Sequence, residues 1–175
     1  YISSLKKKGG KFLFTLTKFD SNGLRIPYVA TDIKKVEKLT NKTYRPGDMT
    51  PLYDAVVETV EKVVEKIKEG QRSLVVIMTD GLENASVKHD AGCLRDLITK
   101  LQKEGNWSFV FMGANQDAWA TAQTWGMFRG NTMTWNPTQR GTVAVFASLT
   151  NATSDFAASA NSSTSKFFDV GKEAK

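Results

Sequence analysis

Residues 73–81, SLVVIMTDG, indicate the fold of this chain more clearly than any other stretch. An unbroken apolar run that ends in polar residues and a glycine is typical of a parallel strand, buried on both faces and followed by a tight turn. Residues 107–112, WSFVFM, form a second such run, and residues 90–104 between the two runs have leucine and isoleucine at helical spacing. Strand, helix and strand in this order predict a parallel sheet covered by helices.

The same alternation extends in both directions from this unit. Residues 1–8 have the pattern of a helix end, and Thr50-Pro51 has the pattern of a helix start. Further elements are predicted as strands at residues 11–19, 25–31 and 131–135, and as helices at residues 52–69, 117–125 and 137–156. We therefore expect an α/β fold with a doubly wound, mostly parallel sheet and helices on both faces, in one domain at residues 1–156. Residues 157–175 are small and polar, and we expect a flexible tail there.

Composition argues against several classes of protein. The chain has 175 residues with 24 Lys and Arg against 18 Asp and Glu, and its formal net charge of +6 favours acidic partners in general. No zinc-finger spacing or RNA-binding aromatic motif accompanies the charge, so nucleic acid is not the expected partner. The single cysteine, Cys93, excludes an internal disulfide. No apolar run is long enough to span a membrane and no secretory signal is visible, so the expected location is the cytoplasm or a virion.

Enzyme chemistry is not expected from these residues. His89, the only histidine, has no serine or carboxylate at a spacing that indicates a catalytic triad. The chain also has no glycine-rich loop of the kind that binds nucleotide phosphates. We therefore predict that the chain is not an enzyme and has no catalytic residue.

The candidate site lies where the predicted strands end. Parallel sheets bind ligands beyond the carboxyl ends of their strands, which places Asp80 and the loop that contains Thr50 at one rim. A hydroxyl and a carboxylate, completed by water, suit a hard cation such as Mg²⁺. Two alternatives stay open from the residues alone, because Thr50 can simply cap the following helix and Asp80 can cap the turn at Gly81. Asp48 and Asn84 lie in the same loops and are candidates for supporting contacts behind the ligands.

Three motifs resemble those of von Willebrand factor type A domains, the third resembling bacterial and phage members. They are TPLYDA at residues 50–55, VIMTDGLENAS at residues 76–86 and FMGANQDA at residues 111–118, and the resemblance covers residues 1–156. It implies a doubly wound sheet with a metal-ion-dependent adhesion site at its upper rim. By this resemblance Thr50 would coordinate Mg²⁺ or Mn²⁺, and Asp80 would reach the ion through water. A carboxylate of a partner protein would be the last ligand.

The sequence departs from this family at the motif that supplies most of the ligands. The Asp-x-Ser-x-Ser motif, which ends the family's first strand, is absent from the chain. That strand lies in the family's sheet between the strands that match residues 11–19 and 73–79, and its loss would leave two apolar edges unpaired. The first residue is Tyr1 and not methionine. We therefore expect either an N-terminally incomplete copy of the domain, with further ligands upstream of Tyr1, or a strand supplied by another chain.

The function implied by the resemblance is protein binding, in adhesion or assembly, through a Mg²⁺-type ion at the rim of the sheet. The expected partner is another protein, with no role for a membrane. The alternative is a metal-independent structural or assembly protein of a phage or bacterial complex that keeps the same fold.

Overall fold

The computed structural model describes residues 1–8, 11–45, 47–114, 117–158 and 165–168. Within them the chain forms five α-helices, which are α1 Ile2–Lys8, α2 Leu52–Val64, α3 Ala91–Lys103, α4 Ala118–Gln123 and α5 Gln139–Ala158. It also forms five strands, which are β1 Leu13–Asp20, β2 Gly23–Asp32, β3 Ser73–Thr79, β4 Trp107–Ala114 and β5 Thr132–Trp135. Short 3₁₀ turns lie at Ile33–Lys35 and Arg129–Asn131. The predicted elements are all present, although α2 ends at Val64 and not at residue 69.

The described strands form two sheets. β3, β4 and β5 make a parallel sheet in that order, with Val76 of β3 opposite Val110 of β4. β1 and β2 make a separate antiparallel hairpin, which closes between Asp20 and Gly23. The predicted mixture of helices with a parallel sheet is confirmed. A single sheet that joins all five strands does not occur within the described residues.

β4 is the centre of the parallel sheet and is buried along its whole length. Successive side chains of a strand point to opposite faces, and the two faces of β4 enter different cores. The first cluster joins β3 and β4 to α2, α3 and α4, and its buried members are Leu52, Val56, Val57, Val60, Ile77, Leu94, Ile98, Leu101, Trp107, Phe109, Phe111, Ala118, Ala122, Trp125 and Met127. The second cluster joins β4 to α5, and its buried members are Val110, Met112, Val145, Leu149, Ala152, Phe156 and Phe167. Helices therefore cover both faces of this sheet.

β3 lies at an edge of the parallel sheet, although its sequence predicts a strand that is buried on both faces. Only Ile77 and Thr79 of β3 are buried, and its other residues are half-buried. Val75 packs against the first cluster, while Leu74 and Val76 pack against the second, so both faces of the strand are apolar. Within the described residues no strand pairs with the second edge of β3, so the full burial that its sequence predicts is not reached.

The chain beyond α5 returns to the second cluster. Phe167 is 1% exposed, and its ring centroid lies 6.0 Å from that of Phe156. The Phe167 amide donates a hydrogen bond to Asn131 Oδ1 at 2.9 Å. Residues 159–164 and 169–175 lie outside the described residues, so the flexible tail stays a prediction. Among the helices that the structure describes, none is long and apolar enough to cross a membrane.

Candidate functional site

A rim forms where β1 and β3 end. Gly47 packs so closely on the end of β1 that a β-carbon added to it would lie 2.6 Å from Asp20 Cβ. Thr50 packs on the turn after β3, where a β-carbon added to Gly81 would lie 2.6 Å from Thr50 Oγ1. The loop from Gly47 to Thr50 therefore connects the carboxyl ends of both strands, with a glycine at each point of close approach.

Thr50 is fixed at this rim by its backbone. Its amide donates to Asn84 Oδ1 at 2.8 Å, and the Asn84 amide donates to the Thr50 carbonyl at 3.2 Å. Within the described residues, neither Thr50 Oγ1 nor the exposed carboxylate of Asp80 makes a hydrogen bond or an ion pair. The structure thus places the predicted residues Thr50, Asp80 and Asn84 together and leaves two oxygen-bearing groups available.

Thr50 does not cap α2, which corrects one of the two open alternatives. Pro51 occupies the N-cap position and has no side-chain hydrogen bond to offer. The first amides of the helix are bonded by the loop after β3: Tyr53 donates to Glu83 Oε2 at 2.9 Å, and Asp54 donates to Ser86 Oγ at 3.1 Å. The helix begins one residue later than a Thr50 cap requires, so the capping alternative is wrong.

Glu83 connects the loop after β3 to the start of α2. Its carboxylate accepts hydrogen bonds from the amides of Tyr53, Ala85 and Ser86 and from Ser86 Oγ, all at 2.7–2.9 Å. Burial of this carboxyl opposes ionisation, but the hydrogen bonds from Ser86, Tyr53 and Ala85 outweigh it and hold the pKa of Glu83 below its usual range. Glu83 therefore stays charged at neutral pH, next to the positive end of the α2 dipole.

Asp54 connects the next part of the loop to the same helix. It is 7% exposed and accepts hydrogen bonds from the amides of Val87, Lys88 and His89 at 2.8–3.3 Å. Burial opposes ionisation here too, but the three amides and the nearby His89 hold the pKa of Asp54 below its usual range. Asp54 and Glu83 therefore anchor the loop, and most of their oxygen lone pairs face amide hydrogens.

Sequence reasoning did not find the role of Asp54. The available signal was a carboxylate in the first turn of a helix that is otherwise apolar on its inner face. Such a residue is common as a simple partner of the helix dipole. Its actual partners, the amides of residues 87–89, become neighbours only because of the path that the loop takes.

The rim offers oxygen ligands for a hard cation, but only a few of them. Thr50 Oγ1 and the Asp80 carboxylate have the chemistry that Mg²⁺ prefers. Asp48 is exposed in the same loop, and no hydrogen bond joins it to other described residues, while Asn84 Oδ1 already accepts from Thr50. Among the described residues there is no group of three or more His, Cys, Asp or Glu side chains placed to hold a metal. The residues fit part of a Mg²⁺ shell, and water or another polypeptide segment would have to supply the rest.

Two exposed apolar residues are neighbours, along the chain, of the residues at this rim. Met49, next to Thr50, is 52% exposed, and Leu82, next to Gly81, is 63% exposed. An apolar patch around polar groups is typical of a surface that contacts another protein. We refer to Met49, Thr50, Asp80, Gly81 and Leu82 together as the rim site.

Comparison with known proteins found no family model, curated protein or solved structure that matches this chain. The resemblance to von Willebrand factor type A domains therefore rests on the motifs at residues 50–55, 76–86 and 111–118. A function for the chain has to be argued from its own site, since a fold alone does not specify one.

Proposed function

We propose that this chain is a protein-binding module of the von Willebrand factor type A kind, with a doubly wound sheet and a Mg²⁺ or Mn²⁺ ion at the rim site. One observation carries the proposal: Thr50 Oγ1 lies against Gly81, the residue that follows Asp80 in the chain, and within the described residues neither Thr50 Oγ1 nor the Asp80 carboxylate has a hydrogen-bond partner. The motifs at residues 50–55 and 76–86 support the same assignment.

The residues of the rim have separate roles in this proposal. Thr50 and Asp80 would hold the ion, while Asn84 keeps the Thr50 backbone in place. Glu83 and Asp54 fix the loop by accepting amide hydrogen bonds, which limits their competition for the ion. When bound, the ion supplies a coordination position for a carboxylate oxygen of the partner.

The expected partner surface is acidic and partly apolar. A carboxylate would approach the ion, and apolar side chains beside it would cover Met49 and Leu82. The net charge of +6 favours the approach of such a surface through long-range attraction, which salt weakens.

Isothermal titration of the chain with MgCl₂ and MnCl₂ tests the proposal. Thr50→Ala and Asp80→Asn are each expected to weaken ion binding by about tenfold or more, which corresponds to about 1.4 kcal/mol or more. Asp96→Asn is the matched control, because it removes the same charge from a side chain that is 82% exposed on α3. Ion binding that survives both rim substitutions, or that Asp96→Asn weakens equally, contradicts the proposed site.

The metal-independent alternative is favoured by a different observation. Protein hydrogen bonds hold the loop of residues 83–89, through Glu83, Asp54 and the Thr50 backbone, and these bonds do not require an ion. Under this alternative the melting temperature is the same in excess Mg²⁺ and in EDTA. Under the metal-binding proposal Mg²⁺ raises it, because a ligand that binds only the folded state stabilises that state.

A further inference from the structure

Positive charge is concentrated in the first 45 residues of the chain. Residues 1–45 contain 11 Lys and Arg against 3 Asp and Glu, which is a net charge of +8. Residues 46–175 contain the remaining 13 Lys and Arg against 15 Asp and Glu, which is a net charge of −2. The basic character of the protein therefore belongs to α1, the β1–β2 hairpin and the segment after it. An uneven distribution of this kind is typical of a surface that binds a polyanion.

The first group of these cations lies at the amino end of β1. Lys6 Nζ donates to the Val36 carbonyl at 2.5 Å, which attaches the end of α1 to the segment after β2. The Ile33 amide donates to the Phe12 carbonyl at 3.0 Å, which holds the start of β1 beside the 3₁₀ turn. These two contacts gather five exposed lysines, which we call the end cluster: Lys7, Lys8, Lys11, Lys34 and Lys35.

The second group lies nearer the other end of β1. Lys18 Nζ donates to the Thr43 carbonyl at 2.6 Å, which holds the segment after β2 against the strand. Lys18 is five residues after Leu13, the first residue of β1, and this is about 17 Å along an extended strand. The exposed cations of the segment, which we call the loop cluster, are Lys38, Lys42 and Arg45. The two clusters together form a basic stripe that follows the hairpin over about this length.

The eight side chains of the basic stripe are available to bind an anion. None of them makes a hydrogen bond or an ion pair with another described residue. Of the three acids in residues 1–45, Asp20 pairs with Arg25 at 2.8 Å. The other two, Asp32 and Glu37, are exposed among the eight cations, so six positive charges are left unbalanced.

An exposed aromatic ring lies within the loop cluster. Tyr44 is 49% exposed and directly precedes Arg45, and its hydroxyl makes no hydrogen bond with another described residue. Its backbone is fixed, because its amide donates to the Thr40 carbonyl at 2.8 Å. Cations that follow a phosphate backbone, together with an aromatic ring on which a base can stack, are typical of surfaces that bind single-stranded nucleic acid.

We propose that the basic stripe binds single-stranded nucleic acid without sequence preference. The cations contact phosphates along the strand, and Tyr44 stacks on one base. A zinc-finger or RNA-binding motif is not required for this, because such motifs read bases, whereas phosphate contacts carry no sequence information. The ring favours nucleic acid over an acidic protein segment or an anionic lipid surface, since neither of these has a base to stack. The inference goes beyond the proposed function, because it requires neither the rim site nor an ion.

Fluorescence anisotropy of labelled oligonucleotides tests the basic stripe, with EDTA present so that no ion occupies the rim site. The 175-residue chain is expected to bind poly-dT and poly-U of about 20 nucleotides at about 50 mM salt. The logarithm of the association constant is expected to fall against the logarithm of salt concentration with a slope of about −4. This slope corresponds to six phosphate contacts at about −0.7 each.

Two triple variants locate the binding surface. The end-cluster variant combines Lys7→Gln, Lys8→Gln and Lys35→Gln. The loop-cluster variant combines Lys38→Gln, Lys42→Gln and Arg45→Gln. Each is expected to weaken binding by about tenfold or more and to reduce the steepness of the salt slope by about 2, because three phosphate contacts are lost. The matched control, with the same change in net charge on exposed side chains elsewhere, combines Lys66→Gln, Lys100→Gln and Lys103→Gln.

Tyr44 separates nucleic acid from other polyanions. Tyr44→Ala is expected to weaken binding by about tenfold, while Tyr44→Phe keeps the ring and is expected to bind like the parent chain. Urea midpoints equal to that of the parent chain show that each variant still folds. The same variants are then titrated with vesicles that contain phosphatidylserine and with poly-glutamate.

Four results would overturn the proposal. The first is no oligonucleotide binding at about 50 mM salt, and the second is equal weakening by the control variant. The third is an affinity that Tyr44→Ala leaves unchanged. The fourth is tighter binding of the vesicles or of poly-glutamate than of the oligonucleotides, because the stripe would then serve a lipid surface or an acidic protein. Since every measurement is made in EDTA, the basic stripe and the rim site can fail separately.

Discussion

Gly81 and Thr50 approach each other so closely that there is no room for a methyl group between them. Gly81→Ala is expected to lower the free energy of unfolding by about 1–3 kcal/mol, because the new β-carbon would lie 2.6 Å from Thr50 Oγ1. Thr50→Ala removes that oxygen, and the next atom, Thr50 Cβ, is 3.7 Å away at an ordinary contact distance. The double variant is therefore expected to be more stable than Gly81→Ala alone, as measured by urea unfolding.

The reference for the double variant is the sum of the losses in unfolding free energy that Gly81→Ala and Thr50→Ala cause separately. If the double variant loses as much stability as the two single variants together, the two residues are not coupled in solution. That result would also weaken the assignment of Thr50 and Asp80 to one site, since the contact of Thr50 with Gly81, the residue after Asp80, is what brings them together.

The sequence predicts that Thr50 and Asp80 lie at one rim, and the structure places Thr50 against the turn that follows Asp80, while their role as ion ligands stays a prediction. One precedes a helix and the other follows a strand, and in a parallel sheet those positions meet at the same rim. The contacts of Asp54 and Glu83 could not be predicted in the same way. They join α2 to amides in a loop that is distant along the chain, and this pairing exists only once the loop has folded.

At the scale of elements, the contact between α2 and the loop of residues 83–89 is expected to weaken in acid. The pKa values of Asp54 and Glu83 are lower in the folded protein than in the unfolded chain. Such groups stabilise the fold fully above the unfolded pKa, about 4, and this stability is lost as the pH falls through the lower folded values. Urea midpoints measured from pH 7 to pH 3 should therefore fall most steeply below about pH 4.

Substitution of the two carboxylates provides the comparison. The variant with Asp54→Asn and Glu83→Gln is expected to be less stable at pH 7 and to depend less on pH in the acidic range. Asp96→Asn, on the exposed surface of α3, is expected to leave the profile unchanged. An unchanged acidic slope in the double variant would show that other groups cause the acid sensitivity.

The segment after α5 is expected to contribute a large part of the stability of the second cluster. Phe167→Ala removes a side chain that is 1% exposed, and the expected cost is about 3–5 kcal/mol. Phe168→Ala is the natural comparison, because the neighbouring ring is only half-buried and its loss should cost less. Equal losses of unfolding free energy in the two variants would mean that Phe167 is not docked in solution.

Sequence patterns predicted where the helices and strands lie, but not how deeply β3 is buried or where α2 ends. Apolar spacing gave the positions of β3, α3 and β4 because it depends on neighbours along the chain. It also indicated that β3 is buried on both sides, but the depth of burial depends on which strand lies next to it. The end of α2 was overestimated because the helix ends at Val64 while Ile67 still packs against the first cluster, so the apolar spacing continues past the helical residues.

At the scale of the whole molecule, the described chain consists of two sheets joined by helices, and the free edge of β3 makes self-association the expected behaviour. Sedimentation of the 175-residue chain should show a mass that rises with concentration, because uncharged edge strands pair with one another. Added salt should not reverse it, since salt screens charges and does not weaken apolar contacts. A chain that stays monomeric at all concentrations, or that dissociates in salt, would contradict this account of the edge.

The two core clusters also differ in when they become complete during synthesis. Every buried member of the first cluster lies between Leu52 and Met127, whereas the second cluster includes Phe167. As the chain leaves the ribosome, one face of β4 can therefore pack first. Val110 and Met112 on the other face stay exposed until α5 and Phe167 have emerged. A nascent chain with such a one-sided core is a natural substrate for chaperones and proteases. For this protein, the period of greatest risk is the interval before the segment around Phe167 emerges.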